Sequence, residues 1–546
     1  MYNIFDIKIF DYRRIYSKMK KKKNFKFLLL LTGILLFVLS CGGNVRKNAS
    51  KDEIVAANFR DIHDLNPHNY AGELYAQNIL YEGLVTINKD GSIAPQLAEK
   101  WEISKDGREY TFHLRKNVVF SDGEKFDAKA VKANFDAIME NKDRHGWLES
   151  VRLFDGFETP DDYTFKIKLK EPYYPMLIEL GSIRPFRFIS PKAMKNGKST
   201  KNGVDKYVGT GPYVLKSNKT DEEAVFEVND KYWGAKPKIK RIRVKVIPEE
   251  QTRALALEKG NIDIVFGRDM IDSETFKKFK DKKGFSAMMS EPVATRMMLV
   301  NTTKGALTDK NVRKALQHVL NKKEISEGIF EGTETPADTI LAKTVPYANI
   351  NIPVYNYSLD EAKKLLDAAG WTAGADGKRQ KNGKPLIITL NYNADSVSEK
   401  AISEYFAQQL AKIGVELKTA GEEEQSYRDR MKKGDFDIVF NISWGVPYDP
   451  QSFLGGMRKP VYGDYAAQQG LSQKAQIDNS ILKGLKTTSE SERTELFKYV
   501  LTTLQDEAVY IPVTYETNRV IFNDRVKDVK FGTSLYEVPY YSMNLK

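Results

Sequence analysis

Leu386-Ile387-Ile388-Thr389-Leu390-Asn391-Tyr392 is a short apolar run with several β-branched residues, and it reads as a strand. A helix follows from about Ser396 to Ile413, stopped by Gly414 as a C-cap, and Val415-Glu416-Leu417 reads as the next strand. A second helix from Glu424 to Lys433 then precedes the strand Asp437-Ile438-Val439-Phe440. Strand, helix, strand, helix, strand in that order predicts a three-layer α/β lobe.

Working outward, Asp309 starts a helix that places Val312, Ala315, Leu316, Val319 and Leu320 on one face. A long helix from Ser491 to Gln505 leads to the strand Val509-Tyr510-Ile511-Pro512-Val513 and a strand-rich tail. The first half is different. Trp101 to Ser104 and Tyr110 to Arg115 form a hairpin around Lys105-Asp106-Gly107-Arg108, with apolar residues alternating at 110, 112 and 114. A comparable pair closes with Tyr163 to Leu169 after the turn Thr159-Pro160-Asp161-Asp162. Between them, a helix beginning near Asp127 carries Val131, Phe135, Ile138 and Met139 on one stripe. Lys195 to Asp205 reads as a polar loop, and Gly209-Thr210-Gly211-Pro212 as a turn into the strand Tyr213-Val214-Leu215.

At 546 residues the chain exceeds what one hydrophobic core holds, so at least two lobes are expected. The single cysteine excludes a disulfide framework and a cysteine-rich metal site. That cysteine has a telling place. Met19-Lys20-Lys21-Lys22-Lys23 opens a positive stretch, Phe27 to Leu39 is almost unbroken apolar, and Val38-Leu39-Ser40-Cys41-Gly42-Gly43 follows. The run is too short for a spanning helix, which needs ~20 residues, and suits a signal peptide. The segment resembles the cleavage box of bacterial lipoproteins, which implies lipidation of Cys41. Residues 1–40 are then the signal peptide, with Met19 the expected start, and 41–52 a lipidated tether. The implied location is the periplasm or the cell surface.

The formal charge of +12 is mostly leader: residues 1–40 contribute nine basic and two acidic groups, leaving 76 and 71 on the mature chain. No basic stripe with interleaved aromatics remains, so nucleic acid is excluded as a partner. Enzyme signatures are absent too: no Gly-x-Ser-x-Gly elbow, no phosphate loop and no His-Glu-x-x-His. The five histidines, at 63, 68, 113, 145 and 318, show no spacing that makes a metal face. No enzyme activity and no cofactor are expected.

What stands out is a set of planar groups. Arg144-His145-Gly146-Trp147 combines a guanidinium with an indole; Arg184-Pro185-Phe186-Arg187-Phe188 sets two arginines around a proline. Ser443-Trp444-Gly445-Val446-Pro447-Tyr448-Asp449-Pro450 is a turn bearing an indole and a phenol. Guanidinium reads carboxylates through two parallel charge-assisted hydrogen bonds, and aromatic faces pack flat ligands. Spacing alone does not bring residues 144, 184 and 444 together.

From about Glu53 to the C-terminus the chain resembles the peptide/nickel class of solute-binding proteins of bacterial ABC importers, family 5. The landmark runs from Leu97-Ala98-Glu99-Lys100-Trp101 through Phe120-Ser121-Asp122-Gly123-Glu124 to Phe126-Asp127-Ala128, with Gly209 to Tyr213 and Asn229 to Gly234 adding to it. Leu65 to His68, Arg144 to Glu149, Arg184 to Ile189, Val345 to Asn349, Gly421 to Glu424, Trp444 to Pro450 and Ala467 to Leu471 resemble the nickel-binding subfamily. Peptide-binding relatives place an aspartate near Val446, where this chain is apolar.

The resemblance implies an α/β, two-lobed periplasmic-binding-protein fold of type II with a hinge. Lobe I, with a strand-rich subdomain, would span 53–292 plus 513–546, and lobe II 293–512. It implies a receptor that binds nickel as a small carboxylate-bearing chelate, such as nickel with histidine, and hands it to an ABC permease and its ATPase. Arg184 would pair with a chelator carboxylate, with Arg144 as second positive group. Trp147 and Trp444 would wall the chelate, and Tyr70 and Tyr448 line the pocket. Tyr462 stands where nickel binders of the family place a metal-binding histidine. A neutral phenol is a poor nickel ligand, so no direct protein–metal bond is expected. Receptors for short peptides, haem or a larger metallophore complex are the alternatives on the same fold.

Overall fold

The computed structural model describes residues 50–443, 450–532 and 535–546. The leader and Cys41, together with Trp444 and Tyr448, lie outside the described residues. Among the described residues, no helix is long and apolar enough to cross a membrane.

One mixed sheet of eleven strands organises the fold. At one end, Tyr213–Lys219, Glu223–Val228 and Arg241–Val246 pair antiparallel in sequence order. Glu53–Asn58 then runs parallel to both Arg241–Val246 and Ile264–Phe266. The middle belongs to two long antiparallel strands, Phe285–Val300 and Tyr510–Asn523, paired from Phe285 opposite Asn523 to Leu299 opposite Tyr510. Beyond them, Ile438–Ile442 joins Phe285–Val300 antiparallel, and Ile387–Asn393 runs parallel to both Ile438–Ile442 and Glu416–Glu422. The expected strand–helix alternation is there, with each crossover made by a helix.

Those helices start and stop where their side chains dictate. Ser396 accepts a hydrogen bond from the Glu399 amide to open Val397–Ala411, and Gly414 adopts φ 78° just beyond it. Asp309 caps Lys310–Val319 in the same way through Asn311, and Val312, Ala315, Leu316, Val319 and Leu320 are all buried. These helices cover Leu390, Ile438 and Ile511 in one apolar cluster, separate from the cluster of the strand-rich half.

A second, four-stranded antiparallel sheet runs in the order Ala98–Ile103, Glu109–Leu114, Thr164–Leu169, Phe154–Asp161. The first hairpin turns at Gly107, with φ 69°, as its Asp-Gly signal predicts. Helix Ala128–Glu140, capped by Asp127, lays Phe135 among Phe154, Phe157, Phe165, Phe186 and Phe188 at centroid distances of 4.9–6.2 Å. Close approach fixes the glycines of 209–211: a Cβ at Gly209 would sit 2.0 Å from the Leu80 carbonyl oxygen.

Two expectations need correction. Lys195 to Asp205 is not a loop but a small hairpin, Met194–Lys195 against Ser199–Val204. Asn196 and Gly197 take φ 53° and 69°, the conformation two-residue hairpins need; polar composition hid an Asn-Gly turn. Thr159 and Pro160 are not a turn either. They lie in Phe154–Asp161, an edge strand, where a missing N–H costs no sheet bond.

Where the two long strands cross between the two halves, a buried charge network forms. Arg296 meets Glu334 at 3.0 Å and Glu516 at 2.7 Å, and Glu516 also meets Arg268. Glu516 keeps Arg268 if Arg296 is removed, but Glu334, 6 % exposed, is left as a carboxylate in low dielectric. Arg296→Ala is expected to cost about 3 kcal/mol, measured as a lowered urea midpoint at unchanged slope.

Candidate functional site

Three loops, each ending a regular element, meet at one wall. Tyr70 lies between Glu53–Asn58 and helix Leu74–Leu80. Arg144 to Trp147 form the turn between helices Ala128–Glu140 and Glu149–Leu153, and Arg184 follows helix Met176–Leu180. Residues separated by more than a hundred positions thus converge on one phenol ring. The Arg184 guanidinium lies 5.1 Å from the Tyr70 centroid and that of Arg144 5.6 Å. The Trp147 indole stands edge-on at 6.3 Å and is 43 % exposed, unusual for so large an apolar group.

Hydrogen bonds fix this arrangement. The Trp147 Nε1–H donates to the Tyr70 hydroxyl oxygen at 2.8 Å, and indole has nothing to accept with. The Tyr70 hydroxyl proton is therefore free to donate to His145 Nδ1, also at 2.8 Å. That assignment requires a neutral imidazole. Burial, seconded by the Arg144 charge, lowers the His145 pKa to about 4, so the ring is neutral near pH 7. Its proton then sits on Nε2, which is buried and has no hydrogen-bond partner among the described residues. Burial also raises the Tyr70 phenol, keeping it protonated.

The arginines are differently placed. Arg184 is largely buried, which lowers its pKa, and Nη1 donates to the Gly72 carbonyl at 3.1 Å. Arg144 is exposed. Among the described residues neither lies within ion-pair distance of a carboxylate. Two guanidiniums flanking one ring, neither in a contact ion pair, beside an exposed indole make a positive wall suited to a flat, carboxylate-bearing ligand.

Of the residues expected at a site, Tyr70, Arg144, Trp147 and Arg184 come together. Trp444 and Tyr448 are outside the described residues. Tyr462 opens helix Gly463–Ala467, half-buried and hydrogen-bonded to Arg428. Its segment is tied toward the wall by Lys459, whose Nζ reaches Glu149 Oε2 at 2.9 Å. Among the described residues, no group of three His, Cys, Asp or Glu side chains gathers in metal-binding fashion. His145 is what sequence reasoning missed. It sits inside the Arg-His-Gly-Trp run, but only burial and the tyrosine opposite reveal it as a proton acceptor.

Comparison with known proteins places this architecture. Residues 92–464 match the family model for bacterial extracellular solute-binding proteins, family 5 Middle. The chain is 39 % identical over 517 residues to the nickel-binding periplasmic protein of Escherichia coli strain K12, covering 94 % of this chain and 98 % of that protein. It is 28 % identical over 476 residues to the heme-binding protein A of Haemophilus influenzae, covering 82 % and 84 %. The crystal structure of NikA from Brucella suis in complex with Fe(III)-EDTA superposes with a TM-score of 0.88 at 44 % identity, covering 90 % of this chain and all of that one.

The neutral imidazole makes the wall acid-sensitive. Between pH 6.5, the ordinary histidine value, and about 4, the unfolded chain binds a proton at position 145 that the folded chain does not. His145 therefore contributes stability that is complete above pH 6.5 and is lost as pH falls toward 4. Urea midpoints are expected to decline across that window, and His145→Gln to decline less steeply.

Proposed function

We propose that this chain, which belongs to the bacterial extracellular solute-binding proteins of family 5, is an extracytoplasmic receptor for nickel(II) carried as a small carboxylate-bearing chelate. Nickel with histidine is the simplest such cargo. The receptor hangs from the membrane by lipidated Cys41 and delivers its load to an ABC permease driven by an ATPase. The observation that carries this reading is the wall itself: Arg184 and Arg144 flank Tyr70 with no carboxylate of the described residues within ion-pair distance of either. The names of two relatives point the same way, a nickel-binding protein and a NikA crystallised with a metal aminopolycarboxylate.

In this scheme the chelator's carboxylate docks on the free donors of Arg184, and Arg144 balances remaining negative charge. Trp147 and Trp444 wall the complex, and Tyr70 and Tyr448 line the pocket. Tyr462 meets the complex without bonding to nickel, so the chelator supplies the metal's ligands. Lobe I is residues 53–292 with 513–546, and lobe II is 293–512. Both boundaries fall within or beside the two long strands, and ligand shifts the equilibrium toward the closed arrangement of the lobes.

Calorimetry on the full chain tests the reading. Nickel alone is expected to bind weakly or not at all, and nickel premixed with histidine to bind tightly. Arg184→Ala should weaken the histidine complex by about 1.5–3 kcal/mol, the value of a charge-assisted hydrogen bond. Tight binding of bare nickel would mean a protein-borne metal cage and overturn the chelate reading.

A further inference from the structure

The chain enters the fold at one end of the large sheet. Ser50 to Asp52 lead into Glu53–Asn58, and two other segments hold them there. The Asp52 carbonyl accepts from the Lys240 and Arg241 amides at 2.8 and 3.0 Å, and the Ser50 carbonyl accepts from the Arg525 guanidinium. The ligand wall lies toward the other end of that strand, where Asn58 Nδ2 reaches Glu73 and Arg184 donates to the Gly72 carbonyl. Six residues of strand separate the two ends, about 20 Å at the usual rise.

The entry end is rich in cations that no contact neutralises. Lys236, Lys238 and Lys240 are exposed while Pro237 and Ile239 between them are buried, so the three lysines stand outward in a row. Lys51 is exposed beside Asp52, and Lys527, half-buried, follows Arg525 by two positions. Among the described residues none of these five lies within ion-pair distance of a carboxylate. The neighbouring arginines are engaged: Arg241 meets Glu227 at 2.6 Å and Arg525 meets Asp263 at 2.9 Å. Three carboxylates, those of Asp52, Asp524 and Asp528, are exposed among the same segments. The sequence from Cys41 to Ala49 adds Arg46 and Lys47 and no acid.

Place then selects the partner. Eight residues, 42–49, lie between Cys41 and Ser50, and a chain of that length reaches at most about 30 Å. A lipid on Cys41 keeps this end of the sheet within that distance of the headgroups. We propose that the face formed by Lys51, Lys236, Lys238, Lys240 and Lys527 docks on the phosphates of an anionic phospholipid surface. The protein is then seated tether-side down, with its ligand wall turned to the medium. Each lysine near such a surface strengthens binding by about fivefold, and the attraction fades beyond a Debye length of ~10 Å. The tether brings the face within reach, and contact holds it. The inference rests on the lipid anchor of the proposed receptor, not on the identity of its cargo.

Sedimentation with vesicles tests the face without the lipid. The mature chain carrying Cys41→Ser is mixed with vesicles of phosphatidylcholine, or of equal parts phosphatidylcholine and phosphatidylglycerol, at low salt. Binding is expected to the anionic vesicles alone and to disappear in concentrated salt. Lys236→Gln, Lys238→Gln and Lys240→Gln together should weaken it roughly tenfold or more. Lys418→Gln, Lys432→Gln and Lys433→Gln remove the same charge from the last strand at the far edge of the sheet and the helix after it, and should leave binding within about twofold. Equal losses in the two triple variants mean attraction by net charge alone and overturn the proposal. So does a chain that ignores the anionic vesicles or binds both kinds equally. Mass spectrometry of Cys41 in the native chain checks the anchor separately: an unmodified cysteine overturns the anchor, a failure distinct from that of the face.

Discussion

Everything in this fold hangs on the pairing of two strands. Phe285–Val300 and Tyr510–Asn523 are sixteen and fourteen residues long, so at ~3.3 Å per residue the longer one reaches ~50 Å. They carry the strand-rich half along one stretch and the α/β half along the other, and a single sheet results. Their register slips between Met289 and Ala294, where Pro292 has no N–H to give, and again after Arg296. The ladder is weakest there. The compensation is electrostatic: Arg296, Glu334, Glu516 and Arg268 neutralise one another where the sheet bonds lapse. A joint held by long-range charge pairs bends more readily than one held by interlocked apolar side chains.

The aromatic wall obeys a related economy of charge. Burial desolvates the Arg184 guanidinium, and the Arg60 charge adds repulsion to that cost. The Tyr70 ring returns part of that cost through its negative faces, each contact giving about 0.5–1 kcal/mol. The tyrosine can serve both arginines only if its plane is held, and Trp147 and His145 hold it by gripping the hydroxyl from two sides. The result is a wall that carries positive charge on both sides of one phenol ring.

Much of this was legible in the amino-acid sequence. The caps Asp127, Asp309 and Ser396, the stops at Gly414 and Gly107, and the alternation of 386–440 are local signals, and local physics honoured them. The polar stretch 195–205 misled because composition was weighed above the Asn196-Gly197 dipeptide, whose positive φ angles make a hairpin of it. Thr159-Pro160 misled in the opposite sense, because a proline on a sheet edge looks like a turn until the edge is known. The planar groups could be singled out by residue type, but not gathered. Tyr70 and Arg184 meet only after strand Glu53–Asn58 has been threaded beside strands that follow it by nearly two hundred residues. The tautomer of His145 lies further out of reach, being a property of what surrounds a side chain rather than of the side chain itself.

The tie between Lys459 and Glu149 joins two distant segments by charge alone. Its partners stand 310 positions apart and are 31 % and 27 % exposed, so solvent ions screen the pair in part. The grip between these two segments is therefore set jointly by the chain and by the salinity of its surroundings. A dilute medium tightens it and a concentrated one slackens it, while every apolar contact stays as it was. Ionic strength becomes a dial on one edge of the site that no substitution is needed to turn.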